Sequence, residues 1–124
     1  MVIKGTGSCQ NSPKNQKVEE ALTAVFEKDR GALTDLLEPE VEIQILFSDE
    51  VINKNNGIES IMEMDFPFDS GKIDSAISHG KFGAAEGKLW SKSKRYRFSF
   101  HCTFTNLKAE KVKEILIMIG KLDH

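Results

Sequence analysis

The chain has 124 residues, 40% of them hydrophobic and 29% charged, with a formal net charge of −2 and a pI near 5.9. That length suits one domain with its own core, and the mild acidity excludes a general attraction to nucleic acid or to an anionic membrane surface. No apolar run approaches the ~20 residues that span a bilayer, and the opening "MVIKGTGSCQNSPKN" lacks the apolar stretch of a signal peptide, so the cytoplasm is the expected compartment.

Residues 1–11 show little apolar periodicity and read as an arm. "SPKNQKVEEALTAVFEKDRG" then reads as a helix. Ser12 can cap it, and Pro13 suits a first turn, where a missing N–H does no harm. Val18, Ala21, Leu22, Val25 and Phe26 recur at helical spacing, and Gly31 is placed to end the helix in the left-handed conformation. "ALTDLLE" follows as a second short helix stopped by Pro39.

In "EVEIQILFS" the period changes to two. Val41, Ile43, Ile45 and Phe47 alternate with Glu42, Gln44 and Ser48, the pattern of a half-buried strand. "DEVINKNNG" carries turn chemistry at Asn55, Asn56 and Gly57, and "GIESIMEM" is a third short helix with Ile58, Ile61 and Met62 on one side. "DFPFDSG" is a loop rich in aromatics. From there the chain reads as four strands near 72–79, 81–90, 94–105 and 111–119. Their joints are short enough for antiparallel neighbours, and the last strand is apolar enough to be buried on both faces. Helices segregated against such a sheet make an α+β domain spanning residues 1–124. Three helices packed in the concave face of a strongly curved, mostly antiparallel sheet would leave a conical pocket.

Three stretches, "ALTAVFEKDRGALTDLLEPEVEIQI", "SHGKFGAAEGKLW" and "KRYRFSFHCTFTNLKAEKVKEILIMI", resemble the nuclear transport factor two-like superfamily, also called SnoaL-like or cystatin-like α+β. "SCQNSPKN" is similar to a CxNSPKN-type N-terminus of a bacterial subgroup of unassigned function. The superfamily includes ketosteroid isomerases, polyketide cyclases, dehydratases, epoxide hydrolases and non-catalytic binding proteins, so fold does not fix function. The resemblance implies a cone-shaped pocket and frequently a homodimer through the outer sheet face.

Isomerase chemistry needs a carboxylate base on the first strand. The matching position here is Gln44 or Ile45, neither of which takes a proton, and Asp49 is the nearest later carboxylate. An isomerase-, cyclase- or dehydratase-type enzyme acting on a small carbonyl compound would draw its acid–base groups from Asp49, His79, Glu86 and Tyr96. The histidines are His79, His101 and His124. His101 and Cys102 are adjacent on a strand and leave opposite faces, and no HxH, HExxH or CxxC spacing occurs, so no metal and no cofactor is expected. Cys9 and Cys102 are expected to be free thiols.

Along Arg95–Thr105 one face is Tyr96, Phe98, Phe100, Cys102 and Phe104, and the other is Arg95, Arg97, Ser99, His101 and Thr103. The aromatic face belongs to the core or cavity, which makes Cys102 an inert thiol. "KLWSKSKRYR" interleaves cations with aromatics, but in an acidic chain it reads as a hairpin tip kept soluble by charge. The leading functional reading is a dimeric domain binding a small apolar molecule, lined by Phe26, Ile45, Phe47, Met62, Phe66, Phe68, Phe98 and Phe100. The alternatives are the enzyme above and a protein-interaction domain. In "SHGKFGAAEGKLW" alternation puts Gly83, Ala85 and Gly87 on one face and Glu86 and Trp90 on the other; the resemblance to the superfamily's strand implies that the small row lies on the concave side as a cavity wall, with Glu86 and Trp90 on the outer face.

Overall fold

The computed structural model describes residues 1–7, 12–48, 50–53 and 55–122. Ser12 takes an extended conformation and its Oγ accepts from the Asn15 N–H at 3.3 Å, which starts helix α1 (Pro13–Glu27). Its buried stripe is Val18, Ala21, Leu22, Ala24, Val25 and Phe26. The helix ends at Lys28, not at Gly31. Lys28 adopts φ 53°, and Asp29 begins the next helix by accepting from the Ala32 N–H at 3.2 Å. A capping side chain at Asp29 therefore decides the boundary, and Gly31 falls in the first turn of α2 (Arg30–Leu36).

Strand β2 (Leu37–Phe47) begins before Pro39. Proline is tolerated because the pairing of β2 with the last strand is irregular between Leu37 and Glu42, so no ladder N–H is required there. The chain turns at Ser48 into a further strand, β3 (Glu50–Asn53), where the sequence suggested only a turn. Gly57, at φ 95°, admits the bend into α3 (Ile58–Met62). Then follow β4 (Ser70–His79), β5 (Phe82–Ser91), β6 (Lys94–Phe104) and β7 (Val112–Lys121). The expected arm also holds a strand, β1 (Val2–Lys4), paired parallel to β4.

The seven strands form one sheet in the order β1-β4-β5-β6-β7-β2-β3. It is antiparallel except where β1 meets β4 and β2 meets β7. The sheet is not strongly curled, in contrast to the curvature expected from the sequence. Helix α1 lies across β4 and β5, and α2 and α3 sit against β2.

The inner face carries Val41, Ile43, Ile45, Ile73, Ala85, Leu89, Phe98, Phe100, Phe104, Ile115, Ile117 and Ile119, all buried with the α1 stripe in one core. β7 is not buried on both sides: Met118, on its outer face, is 42% exposed.

Candidate functional site

The small row of β5 is on the inner face, as the resemblance implied, but Gly83 and Gly87 are closely approached there and do not line open space. Val18 of α1 occupies the room at Gly83, where an added Cβ would lie 2.4 Å from Val18 Cγ2. At Gly87 an added Cβ would lie 2.0 Å from the Lys72 carbonyl oxygen and 2.7 Å from the Phe98 ring. The missing side chains bring helix and neighbouring strand closer, a common use of glycine in a sheet.

The aromatic interior is packed in the same way. Phe26 meets Phe66 and Phe98 with ring centroids 5.3 Å apart in each case, and Phe68 meets Phe47 at 5.8 Å and Tyr96 at 5.1 Å. Ile45, Phe98 and Phe100 have 0% exposure. Phe47, Met62 and Phe66 are half-buried and form the rim beside the α3–β4 loop.

The acid–base candidates do not converge. Tyr96 points inward, edge-on to Phe47 at 5.5 Å. Glu86 points outward, exposed, in register with Ser75 and Ser99. His79 is exposed on the outer face at the end of the β4–β5 hairpin, opposite Phe82. Asp49, with Cys9 and His124, lies outside the described residues. Among the described residues no group of three or more His, Cys, Asp or Glu could hold a metal ion. Cys102 is buried on the inner face, and burial pushes its thiol up from the ordinary 9.0 to about 12, opposed by a weaker backbone hydrogen bond from Gly83. At neutral pH it is neither nucleophile nor base.

The polar and titratable side chains are instead sorted along the outer sheet face. Register aligns them in rows across β4, β5, β6, β7 and β2. One row is His79, Phe82, Thr103, Glu114 and Glu42, and the next is Ile77, Ala84, His101, Leu116 and Gln44. The central row is Ser75, Glu86, Ser99, Met118 and Leu46. Beyond it Lys72, Lys88 and Arg97 align, and then Trp90 and Arg95. The face is thus acidic at one end and basic at the other, with Glu86 and two serines beside Met118 and Leu46 in the middle. Its exposed apolar residues include Ile77 at 66% and Phe82 at 59%.

At the acidic end a groove of about 650 Å³ is bordered by Glu42, Ile77, His79, Phe82, His101 and Leu116. Glu42 and Glu114 stand directly opposite each other on β2 and β7. Neither has a hydrogen-bond or ion-pair partner among the described residues, and like charges directly opposite are destabilising. At the basic end Lys88 is paired with Asp74 at 2.8 Å. The groove was not legible before the structure. Strand alternation identifies outward residues, but the order β6-β7-β2 is needed to align Glu114 with Glu42.

No family model and no curated protein matches the chain. Solved structures do. A proposed ketosteroid isomerase from Kribbella flavida is 11% identical over 89% of this chain and 79% of its own, with a TM-score of 0.66. A nuclear transport factor two-like protein of unknown function from Burkholderia xenovorans is 15% identical over 88% and 87%, with a TM-score of 0.63. An uncharacterised bacterial protein with a cystatin-like fold from Silicibacter pomeroyi is 11% identical over 90% and 77%, also with a TM-score of 0.63. At these identities the likeness is one of fold. Three helices on one side of a seven-stranded, mostly antiparallel sheet give this chain the nuclear transport factor two-like, or cystatin-like, α+β fold.

Proposed function

We propose that the chain is a non-catalytic binding module that pairs with a second copy through its outer sheet face. The observation that carries this reading is the sorting of charge along that face, with Glu42 and Glu114 at one end and Lys72, Lys88 and Arg97 at the other. A two-fold axis lying in the interface, across the strands at the Met118 row, brings the basic end of each copy over the acidic end of the other. Glu114 on β7 then lies one strand over, about 4.8 Å in strand spacing, from the Arg97 end of β6 of the second copy. Five strands about 4.8 Å apart and ten residues long at about 3.3 Å per residue make a face of roughly 800 Å², the area each partner contributes to a standard interface.

Sedimentation velocity tests it. The wild-type chain is expected at twice 13.9 kDa, with weaker pairing as salt rises because the complementary charges are screened. Phe82→Glu with Met118→Glu is expected to give a folded monomer, since both side chains are exposed in the single chain. A wild-type monomer at high micromolar concentration overturns the reading.

A second reading, a small apolar molecule held between helices and sheet, is supported by the half-buried rim Phe47, Met62 and Phe66. Entry requires the α3–β4 loop to withdraw Phe66 from Phe26. Saturable binding of a hydrophobic fluorophore, lost in a rim variant such as Phe66→Ala without loss of fold, is the expected result. Binding unaffected by that variant overturns it.

A further inference from the structure

The first strand is held like a ligand. Ile3 is buried to 8% exposure, while its neighbours Val2 and Lys4 are exposed. The Ile3 side chain fills a notch left by Gly71 of β4, where an added Cβ would lie 2.5 Å from Ile3 Cδ1 and 2.8 Å from Leu89 Cδ2. The Ile3 N–H, which does not serve the β4 ladder, donates to Glu27 Oε2 at 3.0 Å. Thr6 donates its N–H to Glu19 Oε1 at 2.9 Å and its hydroxyl to Glu19 Oε2 at 2.7 Å. An aliphatic knob, a strand edge and two helix carboxylates reading outward donors make a receptor for one short extended segment.

The geometry points to exchange of this segment between copies: residues 2–6 of one chain occupy the β4 edge and the Glu19 and Glu27 carboxylates of another. The occupant is fixed by the structure, because the receptor already fits this sequence side chain by side chain. The contact is small, three parallel register pairs and one buried side chain. Parallel ladders are the weaker kind, and segments with few buried contacts open first. The tether also permits departure. Five residues lie between Thr6 and Ser12, six Cα steps that can reach about 20 Å, whereas the helix axis from Ser12 to Glu19 is only about 10 Å. The segment sits on a sheet edge and not on the outer face, so exchange is independent of the pairing proposed above.

Cross-linking of mixed full-length chains tests it. Lys4 and Lys72 are register partners and both exposed. In a Cys9→Ser background, one chain carries Lys4→Cys and a second, of different tag mass, carries Lys72→Cys. A short bis-maleimide is expected to join the two at a yield at least tenfold above a mixture lacking the cysteine at position 72. The product should persist with Phe82→Glu and Met118→Glu and disappear with Ile3→Asp, whose circular dichroism confirms the fold. The chain carrying both cysteines reports the segment bound in its own molecule. Product no higher than the control mixture overturns the inference. So does product that survives Ile3→Asp or is lost with Phe82→Glu and Met118→Glu.

Discussion

Replacing Gly87 by alanine tests whether the space beside β5 is filled. Gly87 faces inward between Ile73 of β4 and Phe98 of β6. The new methyl would lie 2.0 Å from the Lys72 carbonyl oxygen and 2.7 and 2.8 Å from Phe98 Cε2 and Cζ. Neither neighbour can retreat, since the first is backbone in a strand ladder and the second is a ring with 0% exposure. Overpacking of this kind costs about 1–3 kcal/mol, and a clash with backbone belongs at or beyond the upper end. At roughly 3–5 °C per kcal/mol for a domain of this size, the melting temperature should fall by about 10 °C or more. Gly83→Ala meets no backbone but presses on Val18 Cγ2 at 2.4 Å and Cys102 Sγ at 3.0 Å, both buried, so it should also destabilise, by about 1–3 kcal/mol and less than the backbone clash at Gly87. Gly120→Ala, on the outer face with nothing within 4 Å, is the control, expected neutral or stabilising by about 0.4–1 kcal/mol. Urea and thermal unfolding measure all three. A Gly87→Ala chain as stable as wild type would refute the packing argument and show open volume next to the aromatic interior.

Cys102 should resist thiol reagents at pH 8 in the native state and react fully in denaturant. Its thiol is raised in the fold, so the stability it contributes is complete below pH 9 and declines between 9 and about 12, as the unfolded chain loses the proton first. The difference between wild type and Cys102→Ser across that window isolates the effect, and a pH-independent difference would contradict it. Ser12→Ala removes the cap of α1 and should cost about 1 kcal/mol, read as a fall of roughly 3–5 °C in melting temperature. No change there would mean that the helix start is set by Pro13 alone. Arg30 and Glu59 form an ion pair at the surface, where the hydrogen bond to Arg30 holds the Glu59 carboxyl below its ordinary value. Both groups are solvated, so Glu59→Gln should leave thermal stability unchanged within error. A clear loss would show an interaction beyond the exposed pair.

Much of the architecture was legible because it depends on local patterns. Ser12 followed by Pro13 identifies the start of α1, and the alternation from Tyr96 to Phe104 assigns both faces of β6, including an inert Cys102. Glu86 was turned outward by the resemblance of its strand to the superfamily's, since alternation alone leaves the choice of face open. What escaped depends on contacts across the chain. β1 has three residues and no period of its own, and Ile3 is buried only because Gly71 leaves it a notch. β3 is defined by pairing with Phe47 and its neighbours, not by its sequence. The small row of β5 was assigned to the correct face but read as vacant. Its occupancy depends on how closely α1 approaches, which no strand pattern encodes. The acidic end of the outer face needed the parallel register of β2 with β7, a pairing between segments about seventy residues apart.

These placements bear on where a function can reside. A proton-transfer site requires at least two groups within reach of one reacting atom. Of the candidates that the structure describes, only Tyr96 faces the interior, and its neighbours there are the rings of Phe47 and Phe68. The buried polar side chain Asn53 accepts from the Asn55 N–H at 2.8 Å and donates to Met64 Sδ at 3.2 Å, so both ends of its amide are already held. Interior glycine and alanine, which in a pocket protein would leave volume, here admit Val18 and Phe98. The outer face differs in each respect. It holds His79, His101, Glu42, Glu86 and Glu114, it exposes Ile77, Phe82 and Met118, and its charges lie at opposite ends. Recognition by a surface draws on exposed apolar side chains and complementary charge, and both occur on that face. Among the described residues the aromatic interior closes around Phe26, Phe98 and Phe100, and exposed titratable groups lie on the outside of the sheet.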